Sequence, residues 1–143
     1  MSTLIEFSIA LFLAVLVVLI HYETLRHTSA SLPRLKLPPR QRILVVICAA
    51  FFAHLIEITL YAVSYLALEQ FIGSGIVAGQ PVGSFYDYFY YSITTYTTLG
   101  IGDLYPMEGL RLLSGMESLV GLMMITWSAS FTYLCMEKFW KLH

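Results

Sequence analysis

Three long blocks of apolar residues divide the chain. They cover residues 4–20, 43–68 and about 110–134, and only Glu6 and Ser8 interrupt the first of them. About 20 residues of α-helix cross a hydrocarbon layer of roughly 30 Å, so each block is long enough to span a membrane. No Lys or Arg precedes the first block and no small-x-small cleavage site follows it, which favours a retained helix over a signal peptide. The pattern predicts three transmembrane helices.

The polar segment between the first two blocks, residues 21–42, predicts the orientation of these helices. Pro33, Pro38 and Pro39 argue against a continuous helix there. Residues 69–108 contain no Lys or Arg, whereas seven of the eight basic residues of the chain lie in the 21–42 segment or after the third block: Arg26, Arg34, Lys36, Arg40, Arg42, Lys138 and Lys141. The positive-inside rule therefore predicts a cytoplasmic linker and C-terminus, with the N-terminus and residues 69–108 outside a plasma membrane.

The composition agrees with a membrane-embedded chain. Of its 143 residues, 58% are hydrophobic and only 12% are charged, where an ordinary soluble domain has about 25% charged residues. The two cysteines, Cys48 and Cys135, lie inside apolar blocks without metal-type spacing. Membrane lipids are expected partners, and the basic linker is a candidate for contact with anionic headgroups, although a solvated loop is the simpler interpretation. No nucleic-acid partner is expected.

A shorter segment between the second and third blocks carries the candidate chemistry. Residues 85–97 are rich in aromatic residues and threonine and are too short to span, and a polar stretch containing glycine follows at once. Irregular backbone is tolerated at membrane depth only where protein buries it or where it lines a watery cavity. The pattern therefore predicts a re-entrant loop made of a short helix and an irregular strand.

The stretch SITTYTTLGIGDLYP within this segment resembles the pore loop of the potassium-channel superfamily, whose filter usually reads TVGYG followed by Asp. With a span on either side, the resemblance covers roughly residues 43–139 and leaves the first span outside it. Tyr91, Ser92, Thr94 and Pro106 also stand where the family places similar residues. The residues that match the filter are Thr98, Leu99, Gly100, Ile101 and Gly102, followed by Asp103.

The resemblance implies a passive potassium channel rather than an enzyme, with K⁺ as the permeant ion and no cofactor. Carbonyls of residues 98–101 would replace the hydration shell of K⁺, and Gly100 and Gly102 would permit the required backbone angles. One loop cannot encircle an ion, so three identical partner subunits are implied. The expected fold is an all-α membrane protein with three transmembrane helices, a re-entrant pore helix and a filter loop in a fourfold homotetramer. Residues 1–42 would form an N-terminal helix with a basic linker, and residues 43–143 the pore domain.

Ile101 departs from the family pattern, because it stands where a tyrosine hydroxyl often helps to hold the filter. A weakly selective or nonselective cation channel is therefore the alternative to a K⁺-selective one. Glu117 lies about 10 Å into the third span at 1.5 Å per residue. We expect it to contact the back of the pore helix near Thr94 in place of the missing tyrosine bond, although a carboxyl near the outer mouth, protonated or bonded to backbone, explains it equally well. Asp103 and Tyr91 complete the expected filter support.

Three further residues inside the predicted spans are candidates for gating. His54 and Glu57 are three residues apart on one helical face, and His titrates near neutral pH, so they form a possible proton-sensitive pair. Two groups do not fill a metal site, and a hydrogen bond between them or to a neighbouring helix is the simpler interpretation. Gly121 stands where many superfamily members have a hinge, and it is equally consistent with close helix packing.

Two other protein classes share parts of this pattern. Tyr86-Asp87 and the GIGD that ends at Asp103 fit the paired motifs of intramembrane aspartyl proteases. Those enzymes carry their two aspartates on adjacent spanning helices, whereas no span separates the two here, so a protease is disfavoured. A non-conducting auxiliary membrane subunit is disfavoured because the filter glycines would have no purpose in it.

Overall fold

The computed structural model describes residues 3–73, 75–79 and 83–140. The long helices are α1 (Thr3–Ser31), α2 (Pro39–Ala67) and α4 (Leu110–Trp140), and a shorter helix, α3 (Phe85–Tyr96), lies between α2 and α4 in the chain. A 3₁₀ turn at Leu32–Arg34 follows α1, and a π-helical turn at Leu68–Ile72 extends α2. The two strands are β1 (Val77–Gly79) and β2 (Leu104–Pro106).

The three predicted membrane helices are confirmed. Helical segments at residues 4–34, 39–72 and 110–139 are long and apolar enough to cross a membrane. They pack on one another, and α2 and α4 also pack on α3. To the larger of two apolar clusters, α1 contributes the fully buried Ala10 and Val17 and α2 contributes Tyr61 and Tyr65. The protein is a helical membrane protein in which α1 is part of the core.

The prediction that no continuous helix runs through residues 21–42 is confirmed, but the break does not include residues 21–31. These residues continue α1 as regular helix, and the chain breaks only at residues 35–38. No proline precedes Pro33, so the backbone hydrogen bonds of α1 have no reason to stop earlier. Pro39 then opens α2 at its first helical position, where the missing N–H has no partner to lose. The Arg42 guanidinium donates to carbonyls in the break, reaching Leu37 at 3.0 Å and Leu35 at 3.2 Å. Lys141, which entered the orientation argument, lies outside the described residues.

The start of α3 is defined by Ser84 and Asp87. The Asp87 carboxylate accepts hydrogen bonds from the backbone N–H groups of Ser84 (2.9 Å) and Gly83 (3.0 Å) and from the Ser84 hydroxyl (3.0 Å). These bonds stabilise the ionised carboxylate and lower the pKa of Asp87. The N-terminus of α3 is thereby capped by its own first turn.

A small antiparallel sheet adds to the predicted all-α fold. Val77 pairs with Pro106 and Gly79 with Leu104, so the loop after α2 is joined to the chain that leaves residue 103. Gly79, with φ 130°, lies directly against the Asp103 carbonyl, and a Cβ at this position would overlap it. The pairing of β1 with β2 depends on this close approach between two distant parts of the chain. Strands of three residues carry too short a pattern for the sequence to predict the sheet.

Candidate functional site

The predicted filter, residues 98–102, lies between the end of α3 and Asp103 and is exposed in a single chain. Its backbone alternates: Thr98 (φ 59°), Gly100 (φ 55°) and Gly102 (φ 87°) have positive φ, whereas the residues between them do not. Alternation of this kind turns successive peptide groups toward the same side of the chain. A β-branched residue at positive φ is uncommon and costs of order 1–3 kcal/mol, so the surrounding structure must hold Thr98 in place.

The predicted filter is hydrogen-bonded to the last turn of α3. The Thr98 N–H donates to the Thr95 carbonyl at 2.9 Å, and the Gly100 N–H donates to the Thr94 carbonyl at 3.1 Å. The Thr94 hydroxyl donates in turn to the Tyr91 carbonyl at 2.9 Å. Thr94 therefore reaches the predicted filter through its backbone, while its side chain bonds within α3.

The two apolar side chains of the predicted filter are not packed within one chain. Leu99 is 64% exposed and Ile101 is 57% exposed. A single subunit supplies no packing that would cover these two side chains. A cleft of about 260 Å³ lies beside the predicted filter and is bounded by α3 and by Ser114 and Ser118 of α4.

Asp103 is placed against α3 at the end of the predicted filter. One of its oxygens accepts the Leu104 N–H at 3.0 Å. The nearby Asp103 carboxylate also raises the pKa of the Tyr90 hydroxyl, because loss of the tyrosine proton would place two negative charges together. Tyr90 thus lies near Asp103 at the end of the predicted filter.

Glu117 is fully buried and joins three helices. Its carboxylate accepts from the Ser92 hydroxyl of α3 and from the Tyr65 hydroxyl of α2, both at 2.5 Å. The Ser92 oxygen also lies 2.9 Å from the Ile58 carbonyl. Glu117 thus reaches the back of α3 at Ser92, two residues before the Thr94 that the sequence analysis named.

Two further hydroxyl contacts join α3 to α4. The Tyr91 and Ser114 oxygens are 2.7 Å apart, and the Ser118 hydroxyl donates to the Thr95 carbonyl at 3.0 Å. The Tyr91 ring also stands edge-on to the Tyr65 ring, with centroids 5.0 Å apart. Polar contacts therefore hold α3 along both of its long neighbours.

The region around the predicted filter thus consists of a short capped helix, a loop with alternating backbone angles that is hydrogen-bonded to the end of this helix, and a long helix on either side. A family model described as "Ion channel" matches residues 42–138, which is more than half of the chain. The protein belongs to this ion-channel family. The match confirms the predicted family resemblance, and α1 lies outside the matched residues. No curated protein matches the chain, and no solved structure matches it either.

Gly121 of the channel packs directly against the end of α3. A Cβ built on Gly121 would overlap the backbone carbonyl of Tyr96 and crowd its ring. Gly121 has helical backbone angles within α4, so the glycine serves this close approach and not a turn. Of the two interpretations given from sequence, the structure favours close packing over a hinge.

Replacing Gly121 by alanine is expected to destabilise the channel, although alanine favours a helix by about 1 kcal/mol over glycine. Overpacking against a backbone carbonyl typically costs about 1–3 kcal/mol and would displace Tyr96 at the end of α3. Gly115→Ala is the matched control, since Gly115 lies on the same helix with open space around its Cβ position. Thermal unfolding in detergent measures the stability of both variants. Equal stability of the two variants would contradict a packing role for Gly121.

A polar cluster joins all four helices at the C-terminal end of α3. Its members are His21 of α1, His54 and Glu57 of α2, Tyr96 of α3, and Ser128 of α4. The His21 Nδ1 lies 2.8 Å from Glu57 Oε1, and the His54 Nδ1 lies 3.3 Å from Glu57 Oε2 and 2.9 Å from the Tyr96 oxygen. The Tyr96 hydroxyl also donates to Glu57. The Ser128 oxygen lies 3.1 Å from the Nε2 atom of each histidine.

The channel sequence contains signals for part of this cluster. His54 and Glu57 were identified as a pair, and a partner on a neighbouring helix was the simpler interpretation of them. His21, Tyr96 and Ser128 were missed. His21 directly follows the first apolar block and was counted with the linker, because nothing showed that α1 continues past residue 20.

Proposed function

We propose that the protein is a potassium-selective channel that conducts K⁺ passively through a pore lined by residues 98–102. The observation that carries the proposal is the alternation of positive φ at Thr98, Gly100 and Gly102 in a loop bonded to the end of a short helix. Backbone carbonyls that face one axis can replace the hydration shell of a cation without a fixed charge. K⁺ would bind at the carbonyls of residues 98–101.

The proposal requires four copies of the chain. One loop presents its carbonyls from a single side, and the chain contains one such loop, so a ring of four would be needed to surround the ion. Residues 97–103 are exposed in a single subunit, including the apolar Leu99 and Ile101. A fourfold homotetramer would cover these side chains with the neighbouring subunits and would place the C-terminal, partially negative end of α3 toward the pore.

The supports of the filter follow from the same geometry. Thr94 would hold Gly100 through its carbonyl, Asp103 would hold the outer end through Tyr90, and Glu117 with Tyr91 would hold α3 against α4. The seven basic residues on one side of the spans support an N-terminus outside and a C-terminus in the cytoplasm of a plasma-membrane protein.

Flux measurements on the purified protein in liposomes test this function. We expect a K⁺ gradient to drive flux well above that driven by an equal Na⁺ gradient, and cross-linking in the same membranes to give a tetramer. Comparable K⁺ and Na⁺ fluxes would identify a nonselective cation channel, the alternative that Ile101 favours because its exposed side chain offers no hydrogen bond. A monomer by cross-linking would contradict the proposed pore.

A further inference from the structure

The polar cluster brings four metal-type donor atoms together inside the helix bundle. The ligand atoms of His21, His54 and Glu57 all lie within 4.8 Å of one another. The Tyr96 oxygen joins them, since it lies 2.9 Å from His54 Nδ1 and hydrogen-bonds to Glu57. Two imidazole nitrogens with two oxygens fit a tetrahedral borderline metal such as Zn²⁺. His21 and Glu57 are fully buried and the His54 side chain is 18% exposed, which leaves one edge open.

Ser128 is placed as a shared outer partner for both imidazoles. A histidine that binds a metal through one nitrogen almost always donates its other N–H to a nearby acceptor. Here the Nε2 atoms of His21 and His54 both lie 3.1 Å from the Ser128 oxygen. A hydroxyl oxygen has two lone pairs and can accept both N–H groups. Both Nδ1 atoms then present lone pairs toward Glu57 and Tyr96.

Without a cation, the cluster has too few hydrogen atoms to form a hydrogen bond at each of its polar contacts. If both Nδ1 atoms carry a hydrogen toward the Glu57 carboxylate, both Nε2 atoms are acceptors, and the single Ser128 hydrogen satisfies only one of them. If His54 instead carries its hydrogen on Nε2, its Nδ1 lone pair faces both the Glu57 carboxylate at 3.3 Å and the Tyr96 oxygen at 2.9 Å. The single Tyr96 hydrogen can then bond either to this lone pair or to Glu57, and one of the two contacts has no hydrogen. A buried polar contact left without a hydrogen costs about 1–3 kcal/mol. A bound cation removes the deficit.

We propose that His21, His54, Glu57 and Tyr96 form a transition-metal site of the Zn²⁺ type, with Ser128 as the shared acceptor of the two imidazole N–H groups. On binding, the metal takes the two Nδ1 lone pairs, one Glu57 oxygen and the Tyr96 oxygen, whose hydrogen leaves to the solvent. A divalent ion with one carboxylate and one phenolate is electrically neutral, which suits an interior of low dielectric constant.

The site would connect α1 to the end of α3. Tyr96 is the last residue of α3, and Thr98 follows it after one residue. His21 belongs to α1, which lies outside the residues matched by the ion-channel family. A metal held by both would fix α1 to the chain that enters the predicted filter, whichever ion that filter conducts.

Zn²⁺ titration of the purified, chelator-treated full-length protein in detergent tests the site without measuring flux. We expect saturable binding of about one Zn²⁺ per chain. His21→Gln is expected to abolish it, whereas His27→Gln is the matched control, because His27 lies on the same helix with a side chain that is 77% exposed. Ser128→Ala keeps all four donors and is expected to weaken affinity about 10–100-fold.

Co²⁺ in place of Zn²⁺ adds a spectroscopic readout. A tetrahedral site with two nitrogen and two oxygen ligands gives visible Co²⁺ absorption, which Tyr96→Phe should alter because the variant removes one ligand. Absence of saturable Zn²⁺ binding by the wild type would overturn the proposal and leave the cluster as a hydrogen-bonded or proton-binding network. Equal affinity in the wild type, His21→Gln and Ser128→Ala would overturn it as well.

Discussion

Replacing Gly100 by alanine is expected to abolish K⁺ flux through the reconstituted channel while the subunit still folds. Gly100 has φ 55°, a conformation that costs an L-residue with a Cβ roughly 1–2 kcal/mol. A relaxed backbone would turn the carbonyls away from the pore and break the 3.1 Å bond from the Gly100 N–H to Thr94. The strain would recur in every subunit of the ring, so we expect no measurable flux in the liposome assay.

Gly73→Ala is the matched control for this substitution. Gly73 also has a left-handed backbone, with φ 65°, and its Cβ position is equally open, but it lies at the end of the turn that follows α2. The two variants therefore carry a similar backbone strain at different places. Retained flux in Gly100→Ala would contradict the proposed filter, and loss of flux in both variants would show that backbone strain alone stops conduction.

Replacing Glu117 by alanine is expected to cause the largest loss of stability among single substitutions in α4. The change removes the acceptor of two buried hydroxyls, those of Ser92 and Tyr65, and leaves a cavity. An unsatisfied buried group costs about 1–3 kcal/mol, so the combined loss in the free energy of unfolding should reach about 2–5 kcal/mol. Equilibrium unfolding in detergent measures it, and current decay in bilayers reports whether α3 has loosened.

Glu117→Gln separates the hydrogen bonds from the packing. Glutamine keeps the volume and one carbonyl acceptor, so we expect a loss smaller than that of Glu117→Ala and larger than that of Glu137→Gln. Glu137 lies on the same helix and is exposed, and its replacement should change little. If Glu117→Gln left both the stability and the current decay unchanged, Glu117 would not brace α3.

The sequence predicted the membrane helices and the family because both depend on local patterns. About 20 consecutive apolar residues indicate a transmembrane helix without reference to the rest of the chain. The TTLGIGD stretch lies between two such blocks. Contacts between distant segments were predictable only where a polar residue stood alone in an apolar block. Glu117 was noticed in this way, but its partners Tyr65 and Ser92 were missed, because hydroxyl groups are common in membrane helices and do not mark a contact by themselves.

Hydropathy, charge and one motif thus determined three helices, an ion-channel family and the loop that carries the candidate filter. The tertiary structure alone decided which polar groups meet. His21 joins His54 and Glu57 only because α1 continues past its apolar block and packs beside α2, and Gly121 is required only because the Tyr96 carbonyl lies against it. The physical reason is that each apolar segment is stable in the membrane by itself, so its own sequence is enough to predict it. A buried polar group instead needs a hydrogen-bond partner, and only the packing of separate helices brings that partner within about 3 Å.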